Sequence, residues 1–216
     1  MDVAAFRKLP IIGILRGIEE EQIEPLCNEM ISAGLKTIEI TMNTKGAAAL
    51  IKKAVKVSSG RLTVGAGTVL DKKSLKEALD AGATFIVTPV LINDVVDYCV
   101  KHKIPVFPGA LTPTEIYAAW LAGATMVKVF PVKVFGPSYI KEVRGPLDKI
   151  ELLACAGVTP ENLVEYFAAG ASAVTFGASV FRKEWLEKKD YKSIGDLIKK
   201  YVSSFKEVAG NGKISG

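Results

Sequence analysis

Short runs of aliphatic and β-branched residues alternate along the chain with longer amphipathic stretches. The short runs are IIGIL (11–15), KTIEIT (36–41), LTVGAG (62–67), TFIVTP (84–89), IPVFPG (104–109), MVKVFP (126–131), ELLACAG (151–157) and AVTFGA (173–178). Segments of helical length separate them, as over Glu19–Ala33, Asp71–Ala81 and Pro160–Ala169. The pattern predicts eight strands, each with room for a following helix.

A repeated phrase supports that count. SAGLKTIEI, DAGATFIVTP, LAGATMVKVF and AAGASAVTFG share an Ala-Gly step before a strand; their glycines, Gly34, Gly82, Gly123 and Gly170, lie 48, 41 and 47 residues apart. A glycine just past a helix end takes the left-handed conformation that stops the helix. The period matches two βα units, so the second, fourth, sixth and eighth strands are entered in the same way. Continuous apolar strands in βα repeats imply a parallel sheet covered by helices. With no Rossmann-type opening loop, the expectation is closure into a (β/α)8 TIM barrel. An open doubly wound sheet is the structural alternative. The expected organisation is one barrel domain over 1–209 and a frayed tail, GNGKISG, over 210–216.

Composition narrows the chemistry. The chain has 216 residues, 49% hydrophobic and 24% charged, which suits one ordinary soluble domain near the lower size limit of such barrels. Its apolar runs fall far short of the roughly 20 residues that span a bilayer, and MDVAAFRKLP has no apolar signal core. A cytoplasmic protein with no membrane partner is expected. Cys27, Cys99 and Cys155 are too far apart for a close-spaced metal or redox motif, and Cys27 and Cys99 read as small buried thiols. His102 is the only histidine, in the basic segment VKHK. That leaves little for a Ser-His-Asp triad or a histidine-ligated metal, so neither metal nor cofactor is expected and acid–base work falls to carboxylate, Lys, Tyr, Cys or water. The net charge of +5 spreads over helices and gathers near the C-terminus at Lys183, Lys188, Lys189, Lys192, Lys199 and Lys200. No aromatic-interleaved basic patch argues for nucleic acid.

The informative residues are charges inside apolar strands. Side chains alternate between the faces of a strand. In MVKVF, Val127 and Val129 share one face and Met126, Lys128 and Phe130 the other; in TIEIT, Ile38 and Ile40 oppose Thr37, Glu39 and Thr41. The aliphatic faces should meet the helices, which aims Lys128 and Glu39 into the barrel interior. One reading is a structural ion pair closing the core. The other is catalytic: burial disfavours the charged form of an amine, and the free amine is a nucleophile. A neighbouring carboxylate would then carry the protons.

Arg16 ends IIGILRG on the face of Ile12 and Ile14, where its fork could grip a carboxylate at the strand's C-terminal mouth or pair with Glu39. Thr68, after GAG, and Pro89, ending IVTP, should reach the same mouth, and the GAG glycines allow close backbone approach. The loops after the seventh and eighth strands form the usual phosphate corner of barrels. Here they read CAGVTPEN and TFGASV, with candidates Ala156, Gly157, Gly177, Ala178 and Ser179, and Thr159 and Pro160 look like a helix N-cap and first turn.

Taken in order, ILRGI, IEITMNT, VGAGTVL, FIVTP, FPGALTPTE, VKVFP and GVTPENL resemble the family of 2-keto-3-deoxy-6-phosphogluconate, 2-keto-3-deoxy-6-phosphogalactonate and 4-hydroxy-2-oxoglutarate aldolases, from about Pro10 to Arg182. The resemblance implies a class I barrel aldolase that releases pyruvate and is usually a homotrimer. It implies a Schiff base on Lys128 and a proton shuttle on Glu39. It places Arg16 and Thr68 near the pyruvate carboxylate, with Phe130 and Pro89 packing the pocket. Asn43, where phosphogluconate-type members often carry Arg, leans toward the galactonate type. Ala156 stands where the family usually has the first of two glycines, Cys155 where it usually has Thr, and Thr175-Phe176-Gly177-Ala178 where it favours Gly-x-Gly-Ser. These departures imply a reduced preference for a 6-phosphate.

The leading expectation is therefore retro-aldol cleavage of a 2-keto-3-deoxy sugar acid, 6-phosphorylated, to pyruvate and an aldehyde such as glyceraldehyde 3-phosphate. Cleavage of 4-hydroxy-2-oxoglutarate or an unphosphorylated keto-deoxy acid is the nearest alternative. A barrel isomerase or epimerase with Glu39 as base, and a metabolite-binding barrel without catalysis, are the others.

Overall fold

The computed structural model describes residues 1–210. Its strands are β1 (Ile11–Leu15), β2 (Thr37–Thr41), β3 (Thr63–Gly67), β4 (Ile86–Val87), β5 (Val106–Phe107), β6 (Gly109–Ala110), β7 (Val127–Val129), β8 (Leu152–Ala154) and β9 (Ala173–Phe176). All pairings are parallel, in the order β5-β4-β3-β2-β1-β9-β8-β7-β6. The fifth expected strand is thus two pieces, because Pro108 has no N–H to give to a ladder. Its carbonyl still accepts from Lys128 N at 2.9 Å. Chain continuity through Pro108 joins the two ends of the sheet, and the nine segments fill eight barrel positions.

The helices are α1 (Val3–Arg7), α2 (Glu20–Ser32), α3 (Ala47–Ser58), α4 (Lys72–Asp80), α5 (Asn93–Lys101), α6 (Pro113–Leu121), α7 (Pro137–Arg144), α8 (Leu163–Ala168), α9 (Lys183–Glu187) and α10 (Tyr191–Gly210), with a 3-10 turn over Val132–Val134. None is long and apolar enough to cross a membrane. Buried Ile23, Leu26, Cys27 and Met30 in α2 show the three-and-four spacing of a helix that lays one stripe on the strands. The four Ala-Gly steps behave as expected: Gly34, Gly82, Gly123 and Gly170 have φ of 87°, 100°, 96° and 97°. At the first, Leu35 N reaches back to Met30 O and Gly34 N to Ile31 O, both at 3.0 Å, the Schellman pattern.

Three details differ from expectation. α8 begins at Leu163 with Asn162, not Thr159, as its N-cap, because Thr159 and Pro160 fall in the turn before it, which is closed by Asn162 N donating to Thr159 Oγ1 at 3.4 Å and Thr159 N to Asn162 Oδ1 at 2.8 Å. α10 continues through Gly210, so the first residue of the expected tail is helical, while 211–216 lie outside the described residues. α1 has no counterpart in the strand-and-helix pattern. Asp2 caps it, and its Phe6 enters the barrel's lower end to meet Phe107 edge-on at 6.0 Å.

The register fixes which residues line the interior. Following the pairs once around from Ile12, through Thr37 and Thr63 and on to β9, leads back to position 4 of the first strand. The displacement from 12 to 4 is a shear of eight, so strands are offset by one residue each. Inward side chains from alternate strands then fall into rings of four. From the bottom these are Thr37, Phe85, Met126 and Ala173; then Ile12, Gly65, Phe107 and Leu153; then Glu39, Val87, Lys128 and Thr175; and at the mouth Ile14, Gly67, Gly109 and Cys155. Contacts bear this out, since Phe6, Ile12, Phe85, Val87, Phe107, Met126, Leu153 and Ala173 form one apolar cluster. Ile38, Ile40, Val127 and Val129 belong to the separate outer core under the helices.

Candidate active site

The third ring concentrates the interior's charge. Glu39 is 2% exposed and Lys128 6%, and both face the lumen as their strand positions predict. They do not form a direct ion pair. The ion pairs among the described residues are Arg7–Glu151, Lys53–Glu20, Lys72–Asp94 and Lys183–Glu187, all away from the lumen. Lys128 Nζ instead lies 5.1 Å from the centroid of the Phe130 ring, an aromatic face that favours a cation. Glu39 Oε2 has no hydrogen-bond partner. Burial pushes the Glu39 carboxyl above its ordinary value, and the nearby charges of Lys128 and Arg16 only partly oppose this.

The two glycines of GAG now have separate reasons. A Cβ on Gly65 would overlap the Phe85 ring, and one on Gly67 would overlap the Glu39 carboxylate. Gly65 therefore lets the lower core fill, while Gly67 lets a carboxylate stand inside the barrel. Gly109 meets the Pro89 carbonyl in the same way. Gly67, Gly109 and Cys155 share the mouth ring with Ile14, and the two glycines are what let the Glu39 carboxylate and the Pro89 carbonyl come so close.

Arg16 is exposed at the end of β1, and Asn43 is exposed in the loop after β2. These loops are latched: Gly17 N donates to Thr44 Oγ1 at 3.0 Å, and the Thr41 and Thr44 hydroxyls share a hydrogen bond of 3.0 Å. A cavity of about 450 Å³ opens between them, lined by Gly17, Thr44, Lys45 and Leu50 among others, but neither Lys128 nor Glu39 lines it. Thr68 is half-buried with φ 55°, Pro89 is half-buried, and Phe130 is 37% exposed at the rim. The structure thus gathers Arg16, Asn43, Thr68, Pro89 and Phe130 at the C-terminal ends of their strands, around the opening over Lys128 and Glu39.

Comparison with known proteins gives the family and supports the fold. The family model for KDPG and KHG aldolases matches residues 3–197. The chain belongs to that aldolase family. It is 33% identical over 195 residues to the 2-dehydro-3-deoxy-6-phosphogalactonate aldolase of Escherichia coli (strain K12), covering 90% of this chain and 95% of the relative. It is 30% identical over 202 residues to the 2-dehydro-3-deoxy-phosphogluconate aldolase of Pseudomonas aeruginosa, covering 93% and 90%. A solved structure described as native KDPGal superposes with a TM-score of 0.87 at 32% identity, over 94% and 97% of the two chains. A thiamine phosphate pyrophosphorylase from Pyrococcus furiosus, at 14% identity and a TM-score of 0.72, shares the fold. The protein is an enzyme of the aldolase, hence lyase, class.

Within this aldolase the loops after β8 and β9, where a phosphate corner was expected, face one another across the end of the barrel. The loops after β8 and β9 hold Ala156 and Gly157 on one side and Gly177, Ala178 and Ser179 on the other. Tyr201 of α10 ties them together, donating to Val158 O at 2.8 Å while its hydroxyl lies beside Ser179. Ala156 has φ 72°, a conformation that suits glycine. Gly157 has φ 94°, and a Cβ there would overlap Lys133. Gly177 has no such need, since a Cβ would meet Ile14 at an ordinary 3.4 Å.

Strand-by-strand reading did not single out three residues that the structure places beside this site. Thr175 appears in the sequence only as a departure from a motif, yet it belongs to the ring of Lys128 and Glu39. Cys155 faces the same space, its thiol pushed up in pKa by burial, with Lys128 opposing. Lys133 follows Phe130 by three residues and stands exposed against Gly157, with no ion pair among the described residues. The signal for Thr175 and Cys155 was there: both are inward positions of strands that carry a polar atom. Lys133 gave no periodic signal because it follows the strand.

Proposed function

We propose that this enzyme is a class I aldolase that reversibly cleaves a 2-keto-3-deoxy sugar acid to pyruvate and an aldehyde through a Schiff base on Lys128. The observation that carries the reading is one amine and one carboxylate, both buried in a single interior ring and not paired with each other. A salt-bridged core would have used them up. Here burial pushes the Glu39 carboxyl above its ordinary value, and neither Glu39 nor Lys128 is in an ion pair among the described residues.

In this reading Arg16 binds the keto acid carboxylate with Thr68, and Phe130 and Pro89 pack the pyruvate portion. Lys128 adds to the C2 ketone, and Glu39 moves protons as the carbinolamine becomes an iminium. Loss of the C4 hydroxyl proton then breaks C3–C4, the electron pair passing into the iminium to give an enamine. Protonation of the enamine and hydrolysis release pyruvate. Asn43 contacts the aldehyde portion. The substrate carries a 6-phosphate seated among Ala156, Gly157, Gly177, Ala178 and Ser179, making the aldehyde glyceraldehyde 3-phosphate; the relatives' names support this choice. A second reading, an unphosphorylated keto-deoxy acid or 4-hydroxy-2-oxoglutarate with glyoxylate as product, is favoured by Ala156, which holds a glycine-like backbone without glycine's freedom to admit a phosphate. The protein works in the cytoplasm as a homotrimer. Exposed Leu121, Val134, Phe135 and Val90 support self-association, as does 31% identity to a cage built by fusing symmetric oligomeric domains.

Borohydride reduction in the presence of pyruvate is the test. Mass spectrometry should find the added three-carbon unit on Lys128, and none in Lys128→Arg, which keeps charge without forming the adduct. An unlabelled wild-type protein in a working trapping assay defeats the reading. Coupled assays on phosphorylated and free gluconate- and galactonate-type substrates then separate the two substrate classes. A strong preference for the phosphorylated substrate would reject the second.

A further inference from the structure

Among the described residues, two buried side-chain atoms lack any hydrogen-bond partner: Oε2 of Glu39 and Oγ1 of Thr175. Both are 2% exposed, and both fall in the ring that contains Lys128. The register places them in sequence. Lys128 pairs with Leu153, and Leu153 with Ala173, so an offset of two residues over two strands carries the ring from Lys128 to Thr175. Thr175 pairs with Ile12, and Ile12 with Thr37, and the same offset carries it on to Glu39. Thr175 therefore stands between the amine and the carboxylate on one arc of the lumen, with Val87 on the other.

A hydroxyl buried without a partner weakens a resting protein, and natural interiors avoid the arrangement. Its polar neighbour is the Cys155 thiol across the β8–β9 pair, a weak partner, and the two do not meet hydrogen-bond geometry. A packing role would be met better by valine, which has the same shape. An unsatisfied donor aimed into the reaction space is accounted for if the reacting molecule completes it.

We propose that the Thr175 hydroxyl donates a hydrogen bond to the oxygen on C2 while Lys128 forms its adduct. The inference rests on the Schiff-base reading of Lys128 and specifies how its first stage is assisted. The neutral amine gives its lone pair to C2, and the carbonyl π pair moves to oxygen. Glu39 in its protonated form delivers a proton to that oxygen and takes one from the nitrogen, leaving a neutral carbinolamine. A second proton from Glu39 then lets the C2–O bond break. Water departs, the nitrogen lone pair closes C=N⁺, and Glu39 is left as carboxylate. Thr175 holds the oxygen until it leaves C2, between the Lys128 nitrogen and the acid that protonates it.

The experiment compares Thr175→Val and Thr175→Ser with wild type. It measures the initial rate of borohydride-trapped pyruvate on Lys128, the exchange of pyruvate methyl hydrogens with deuterated water, and the melting temperature. Loss of a donor to a developing oxyanion typically costs at least roughly a hundredfold. A single hydroxyl serving one of several steps should slow labelling and exchange in Thr175→Val by about tenfold to a hundredfold. Thr175→Ser should recover most of both rates. Thr175→Val should melt no lower than wild type, because it removes an unsatisfied group. Three results overturn the proposal: wild-type rates in Thr175→Val, equal slowing in the serine and valine variants, or a valine variant that melts well below wild type. Wild-type protein that never labels at Lys128 defeats the Schiff-base reading itself, a failure recognisable before any variant is made.

Discussion

The barrel interior holds two regions built in opposite ways. The lower rings are closed by aromatic packing. Phe6 from α1 and Phe85 meet Phe107 edge-on, at centroid distances of 6.0 and 5.8 Å, with Ile12, Met126, Leu153 and Ala173 filling the remainder. Even the glycine of that region, Gly65, serves to admit a phenyl ring. One ring higher, Glu39, Lys128 and Thr175 share the lumen with a lone apolar residue, Val87, and two buried polar atoms go without partners. Above them Gly67 and Gly109 make way for the Glu39 carboxylate and the Pro89 carbonyl. The difference shows where this fold invests in stability and where it gives stability up. The lower plug satisfies its contacts in the resting protein, whereas the upper ring leaves polar groups unsatisfied, as the proposed reaction there requires.

Substitutions in the two regions should therefore move stability in opposite directions. The largest effect is expected below. Phe107→Ala removes the shared partner of two aromatic pairs and should lower unfolding free energy by about 3–5 kcal/mol, measured by denaturant titration. A loss of under about 1 kcal/mol would show that the lower rings are not the clamp described.

Glu39→Gln should act the other way. Because burial raises the Glu39 pKa in the folded protein, folding favours the protonated acid. Its ionisation therefore weakens the fold as pH rises above the ordinary carboxylate value of about 4.3. Glutamine mimics the protonated form. The variant should melt above wild type near about pH 7, with the gap closing as pH falls toward about 4, and it should lose pyruvate exchange. A variant that melts below wild type at neutral pH would mean that attraction to Lys128 outweighs burial, and the contrast between the rings would fail.

The smallest effect belongs to the rim. Ala156→Gly relieves a left-handed backbone that costs an alanine about 1–2 kcal/mol, offset in part by glycine's greater freedom when unfolded. A net gain of a few tenths of a kcal/mol up to about 1 kcal/mol is expected. Coupled assays should show a larger preference for the phosphorylated substrate. An unchanged preference would remove Ala156 from the account of specificity.

Much of this could be read from the chain. Strand alternation placed Lys128 and Glu39 inward because the rule involves nothing beyond neighbouring residues. The Ala-Gly repeat located four helix ends because a left-handed residue is a local need. The break at Pro108 was foreseeable on the same grounds, since a missing N–H is also local. The plug was not: α1 is a short helix whose value lies in where Phe6 lands, and that depends on Phe107 being there to meet it. Nor did the chain reveal that Lys128 and Glu39 remain unpaired, because an ion pair and an open pair have the same pattern along their strands.

What the amino-acid order determined by itself is the content of each strand face, the stops of the helices, and the presence of an amine and a carboxylate among aliphatic neighbours. What the tertiary structure decided is which inward residues share a ring. That depends on the offset between strands, and the offset becomes definite when all eight positions close on themselves with a shear of eight. Closure brings Thr175 between Lys128 and Glu39, although 47 residues separate it from the first and 136 from the second. Alternation is a property of one strand, while adjacency around a barrel is a property of the whole ring.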